Sequence, residues 1–137
     1  MRNGEAVRQM MRETELSVND FIYPLFVKPG TGRRDEISSM PGIFQVSLDL
    51  LIAEIEELLA LGVHYVILFG IPAAKDELGS ESADDHGIVQ EACRLIRQNV
   101  PEMFVITDVC LCEYTSHGHC GALDEDGYVN NDKTLSL

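Results

Sequence analysis

Three short apolar runs, separated by two stretches of helical periodicity, constrain this chain more than any other feature. Phe21 to Val27, Val63 to Ile71 and Met103 to Cys112 are rich in β-branched and aromatic residues and read as strands. Pro24 within the first run points to a strand end or a bulge. Ser47 is placed to cap a helix from Leu48 to Leu61, whose apolar stripe is Leu51, Ile55, Leu58 and Leu59. Gly62 ends that helix. Gly87 to Asn99 reads as a second helix, with Pro101 just beyond it. A strand–helix–strand–helix–strand succession calls for an α/β fold with parallel pairing and right-handed crossovers. The Val63–Ile71 run is almost uninterrupted, as in a parallel strand covered on both faces. Pattern alone leaves two architectures open, a doubly wound sheet or part of a barrel.

The remaining segments are connections. Residues 1–20 read as an N-terminal arm, with Val7, Met10 and Met11 at helical spacing, and residues 21–137 as the main domain. Pro29 opens a loop that runs to Gly42. Its Gly-x-Gly is no nucleotide fingerprint, because no helix with a third glycine follows in register. Pro72 to Asp85 is an acidic, glycine-containing loop, and Asn130, Asn131 and Asp132 offer N-caps for a last helix.

Bulk composition excludes several functions. The chain has 137 residues, enough for a real core, and 45% of them are hydrophobic. A net charge of −13 argues against nucleic acid and against anionic membrane as partners. Its acidic residues are scattered, as in Glu54, Glu56 and Glu57, and read as a solvated helix face. No apolar run approaches the ~20 residues that span a bilayer. The first residues lack the apolar centre of a signal peptide, so a cytoplasmic location is expected. In that compartment clustered thiols suit metal ligation better than disulfides.

The chemistry concentrates in Asp108 to Gly121, which holds three of the four cysteines, two of the four histidines and two acidic residues. If the third strand continues to Cys112, Asp108, Cys110 and Cys112 share one face. Gly118 and Gly121 then let the following loop turn back and deliver Cys120 as a third ligand. Three thiolates without an obvious fourth ligand suggest a zinc ion with an open position, the pattern of a catalytic site. His117 and His119 are candidates for loop packing, for supporting hydrogen bonds or for the fourth ligand. Asp108 lies at the C-terminal end of its strand, where barrel enzymes place catalytic groups. Cys93 lies on the second helix, far from the others, and reads as a small core residue. Glu113 and Tyr114 receive no assignment.

The segment Asp108-Val109-Cys110 through Cys112 and Tyr114 to Gly121 resembles the metal segment of zinc-type porphobilinogen synthase (5-aminolevulinate dehydratase). Phe21–Val27, Ser39–Ile43, Asp85–Gln90 and Asn131–Leu135 fit the same family, in one register from about residue 5 onward. The resemblance implies a (β/α)8 TIM barrel, of which this chain would hold the N-terminal part, about three βα units plus the arm. It also implies a reaction: condensation of two 5-aminolevulinate molecules to porphobilinogen with loss of water, in tetrapyrrole (haem) biosynthesis. Zn2+ on Cys110, Cys112 and Cys120, an active-site role for Asp108 in handling a proton or the substrate amine, and a homo-oligomer, octameric at full length, follow from the same likeness. The family's arm wraps a neighbouring subunit. Its Schiff-base lysines belong to motifs that Lys28, Lys75 and Lys133, the only lysines here, do not match. The chain alone is therefore expected to be inactive. Two other classes compete with this reading: a non-catalytic zinc-binding module, and a thiol redox switch built on the same cysteines.

Overall fold

A single five-stranded sheet carries the molecule, with strand order β2-β3-β1-β4-β5. The structure is a computed structural model and describes residues 4–137; Met1–Asn3 of the expected arm lie outside the described residues. The three expected strands are β1 (Tyr23–Lys28), β4 (Tyr65–Gly70) and β5 (Phe104–Thr107). They are parallel neighbours, Leu25 opposite Leu68 and Ile67 opposite Ile106.

The loop expected from Pro29 to Gly42 is not wholly irregular. It contains β2 (Arg34–Glu36), antiparallel to β3 (Phe44–Ser47), and β3 in turn runs parallel to β1. Periodicity could not announce β2, because its three residues are all exposed and charged. Its place comes from pairing and from the Arg34 guanidinium, which lies 3.6 Å from the centre of the Phe44 ring. Pro24 needs no bulge, although β1 is central. The Val27 carbonyl accepts from Ile71 on the β4 side, so Pro24, three residues earlier, faces the β3 side. The β3 ladder begins only at Phe26, so no partner awaits the missing N–H.

Helix α1 is Glu5–Met10, short and with no buried residue. Helices α2 (Leu48–Ala60) and α3 (Ile88–Asn99) form the crossovers. α2 ends in a glycine cap: Gly62, at φ 82°, donates to Leu59 and Val63 donates to Leu58. Both helices bury one face of the sheet. Leu25, Val27, Val46, Val66 and Leu68 are at most 2% exposed and pack with Leu51, Ile55, Ala92 and Ile96. The expectation that the Val63–Ile71 strand is covered on both faces does not hold. Tyr65, Ile67 and Phe69 alternate with the buried residues and are only half-buried. On that second face Phe26 stacks on Phe69, ring centroids 5.1 Å apart, and Phe104 on the outer strand is 59% exposed. The helices thus cover one face of the sheet, aromatic side chains lie on the other, and β5 is one of the two edge strands. Among the described residues no helix is long and apolar enough to cross a membrane.

Candidate metal centre

The strand that leads into the cysteines is shorter than its composition suggests. β5 ends at Thr107, and the Asp108 N–H makes one last long contact with the Leu68 carbonyl at 3.4 Å. Asp108, Cys110 and Cys112 are therefore not on a strand face, and alternation does not bring them together. A turn does. Tyr114 and Thr115 both donate to the Leu111 carbonyl at 2.9 Å, closing residues 111–115. Pairing stops at Thr107, opposite Leu68, although β4 itself runs on to Gly70, so the chain leaves the sheet before its neighbour does and enters the turn.

The turn and the glycines after it collect the thiols. Gly118 adopts φ 74° and Gly121 φ 147°, so the chain folds back as expected at these two positions. The sulfur atoms of Cys110, Cys112 and Cys120 lie within 4.8 Å of one another. The Cys110 and Cys120 Sγ atoms are 3.6 Å apart. Two thiolates on one tetrahedral zinc, each at about 2.3 Å, would stand ~3.8 Å apart. The donor set thus fits a thiophilic ion. Backbone N–H groups also point at the sulfurs, Leu111 at Cys120 (3.3 Å) and Cys112 at Cys110 (3.4 Å). The Leu111 N–H and the Cys110 thiol hold the Cys120 thiol below its ordinary pKa. Burial pushes Cys110 up to about 12. A metal held by both would need each as its thiolate, so binding would release their protons.

Asp108 stands beside this group rather than in it. Its carboxylate is exposed and, with Cys110 and Glu113, forms a second set of donor atoms within 4.8 Å of one another. Glu113 went unassigned from sequence; its only signal there is an acid directly after Cys112. Neither histidine ring joins the thiol group. His117 Nε2 meets the Glu77 carbonyl at 3.1 Å, His117 Nδ1 accepts from the His119 N–H at 3.1 Å, and the two rings stack. Both rings are engaged in loop contacts, His117 through hydrogen bonds and His119 through stacking. Cys93 packs against the core as expected, and burial raises its thiol pKa. Cys110 and Cys120 line one end of a cleft of ≈ 780 Å³, whose other walls include Val89 and Cys93 of α3 and Thr134 near the C-terminus. That C-terminal stretch is a short helix, α4 (Asn131–Thr134), with Asn130 accepting from the Lys133 N–H as its cap.

A parallel β/α wall with three thiols beyond the C-terminal end of its last strand belongs to the class of β/α-barrel proteins with a candidate metal site in the loops at that end. A sequence model of the family described as delta-aminolevulinic acid dehydratase matches residues 1–137, and the chain belongs to that family. The delta-aminolevulinic acid dehydratases of Halalkalibacterium halodurans and Bacillus subtilis are each 50% identical to it over 137 residues. The match takes in 100% of this chain and 42% of each relative. The chain thus spans less than half the length of those curated relatives. A crystal structure of delta-aminolevulinic acid dehydratase (porphobilinogen synthase) from Toxoplasma gondii ME49, in complex with the reaction product porphobilinogen, superposes with a TM-score of 0.91. The two are 32% identical, and the match covers 98% of this chain and 39% of that one. The fold is accordingly the N-terminal part of that barrel.

Proposed function

We propose that Cys110, Cys112 and Cys120 hold a zinc ion, and that the chain supplies the metal-bearing part of a porphobilinogen synthase acting on 5-aminolevulinate. The convergence of three sulfurs within 4.8 Å, at the strand end where barrel enzymes work, carries this reading. Family membership supports the reaction, and the product bound to the Toxoplasma relative supports the substrate class.

A zinc ion held by Cys110, Cys112 and Cys120 would supply a mild Lewis acid for a substrate amine, a carbonyl oxygen or water. The chain's own residues do the rest. Asp108, exposed beside Cys110, accepts a hydrogen bond from the substrate amine and takes up or returns its proton. The N–H groups of Leu111 and Cys112 stabilise negative sulfur and fix its direction. Lys28 is engaged with Asp35 at 2.7 Å and with Gln45, and among the described residues no lysine lines the cleft that Cys110 and Cys120 share. The imine-forming lysines of the reaction are therefore assigned to the part of the family's barrel that these residues do not cover. α1, with Met10 and Met11 exposed, is read as an arm that packs on a neighbouring subunit of a homo-oligomer.

The test is metal analysis of the purified protein beside assay of the full-length frame. Zinc retained at one per chain, and pyrrole formation that needs both the metal and the remaining barrel, supports the assignment. Zinc binding without any activity in the full-length frame favours the non-catalytic module instead.

A further inference from the structure

The three cysteines sit in a segment with almost no regular structure, so some other contact must keep their sulfurs together. The loop after β4 provides it. The Asp76 N–H donates to the Tyr114 carbonyl at 3.3 Å, and the Ser116 N–H donates to the Asp76 carbonyl at 2.8 Å. These bonds form an isolated parallel bridge between Asp76 and Thr115. The Asp76 carboxylate meanwhile accepts from the Leu78 and Ser80 N–H groups, both at 3.0 Å, folding residues 76–80 into a tight turn. That turn presents the Glu77 carbonyl to His117. It also sets Gly79 against Tyr114, so closely that a Cβ there would lie 3.1 Å from the Tyr114 Cβ. From the bridge the path continues to the metal ligands. The buried Thr115 hydroxyl donates to the His119 carbonyl at 2.8 Å, one residue before Cys120.

We propose that Asp76 is a positioning residue for the thiol centre: through the 76–80 turn and Thr115 it fixes where Cys120 stands relative to Cys110. This rests on the reading of those thiols as metal ligands. The Ser80 and Leu78 hydrogen bonds hold the Asp76 carboxyl below its usual range, so the turn carries its full charge-assisted bonds at neutral pH.

The experiment compares Asp76→Ala, Asp76→Asn, Thr115→Val and Glu77→Ala with wild type in the 137-residue chain. Co2+ affinity is measured by competition with a chelator, together with the visible spectrum of the Co2+-loaded protein. In parallel, metal-free protein is oxidised with diamide, which takes two electrons and two protons from a thiol pair. The rate of Cys110–Cys120 disulfide formation is then read by mass spectrometry. Asp76→Ala should weaken Co2+ binding about tenfold or more, change the spectrum and slow the disulfide several-fold. Asp76→Asn keeps an oxygen acceptor and should recover most of the loss. Glu77→Ala keeps the carbonyl that His117 uses and should match wild type. Thr115→Val breaks the same path without touching the 76–80 turn, so it decides the matter if Asp76→Ala does not fold. Wild-type affinity and disulfide rate in both Asp76→Ala and Thr115→Val would overturn the proposal. A wild type that takes up no Co2+ would defeat the metal reading, and the metal-free rates would still decide the role of Asp76.

Discussion

The hydroxyl of Tyr114 occupies the space that a side chain on Gly70 would need. A Cβ at Gly70 would stand 2.5 Å from that oxygen and 2.6 Å from Val89 Cγ2. Tyr114 is 8% exposed, and burial raises its phenol pKa. The loop that carries the thiols is thus plugged by one aromatic ring into the end of β4, against α3. Glycine at that position is a requirement of close approach rather than of backbone conformation, since Gly70 is not among the residues with positive φ.

Gly70→Ala should therefore lower stability by about 1–3 kcal/mol, the usual cost of forcing a methyl into filled space. Urea unfolding followed by circular dichroism checks the value. Unchanged stability would mean that Tyr114 can leave its site at no cost, and that the loop is not anchored there.

Removing any one thiol should change the metal content. Cys110→Ala, Cys112→Ala and Cys120→Ala are each expected to lose zinc through purification, while Cys93→Ala keeps it. Elemental analysis of the four variants beside wild type settles the ligand set. Equal retention in Cys112→Ala and wild type would strike that residue from it. Oxidising conditions should also release the metal, because the ligands must be thiolates.

Activity should track the barrel rather than the metal alone. The 137-residue chain is expected to make no porphobilinogen from 5-aminolevulinate, even with zinc supplied, because Asp108 and the thiols cannot replace an imine to lysine. Borohydride should trap 5-aminolevulinate on the full-length frame and not on this chain. Pyrrole formed by the purified 137 residues would show that the imine chemistry is wrongly assigned to the rest of the barrel.

Acid should loosen the β3–α2 junction through Asp49. Its carboxyl accepts from the Ser47 hydroxyl and from the Gly32 N–H at 2.8 Å, which hold it below the usual carboxylate range. The folded pKa is then the lower one, so between the two values the unfolded chain binds the proton more readily. The stabilisation is complete above the unfolded value, about 3.9, and fades as pH falls through the folded one. Asp35, lowered by its bond to Lys28, acts with the same sign. Thermal midpoints measured from pH 6 downward should fall less steeply in Asp49→Asn than in wild type. Parallel profiles would remove Asp49 from the account.

Much of the wall could be read from the chain alone. Periodicity located β1, β4 and β5 and both crossover helices to within a few residues, because burial against a single helical layer imposes a local pattern. Cysteine spacing and the glycines at 118 and 121 pointed to three thiols that the structure does bring together. The route was misread. Composition favours a strand as far as Cys112, yet β5 leaves the sheet after Thr107 while β4 still runs to Gly70, where the Tyr114 side chain of the following loop packs instead. β2 was missed for the converse reason, since its charged residues form a strand only because β3 is there to receive them.

What the sequence determined by itself is whatever depends on neighbours along the chain: helix faces, caps, glycine turns, and a set of side chains able to bind a soft metal. What only the tertiary structure decided is who partners the polar backbone of the loops. Asp76 and Thr115 lie far apart in sequence, and nothing in either segment announces the other. Buried or half-buried backbone groups must find partners, and in irregular segments proximity in the folded chain chooses them. The same holds for Tyr114 and Gly70. Periodicity describes which side chains are buried, whereas the fit of one loop into the end of one strand is a property of shape that appears only once the sheet has formed.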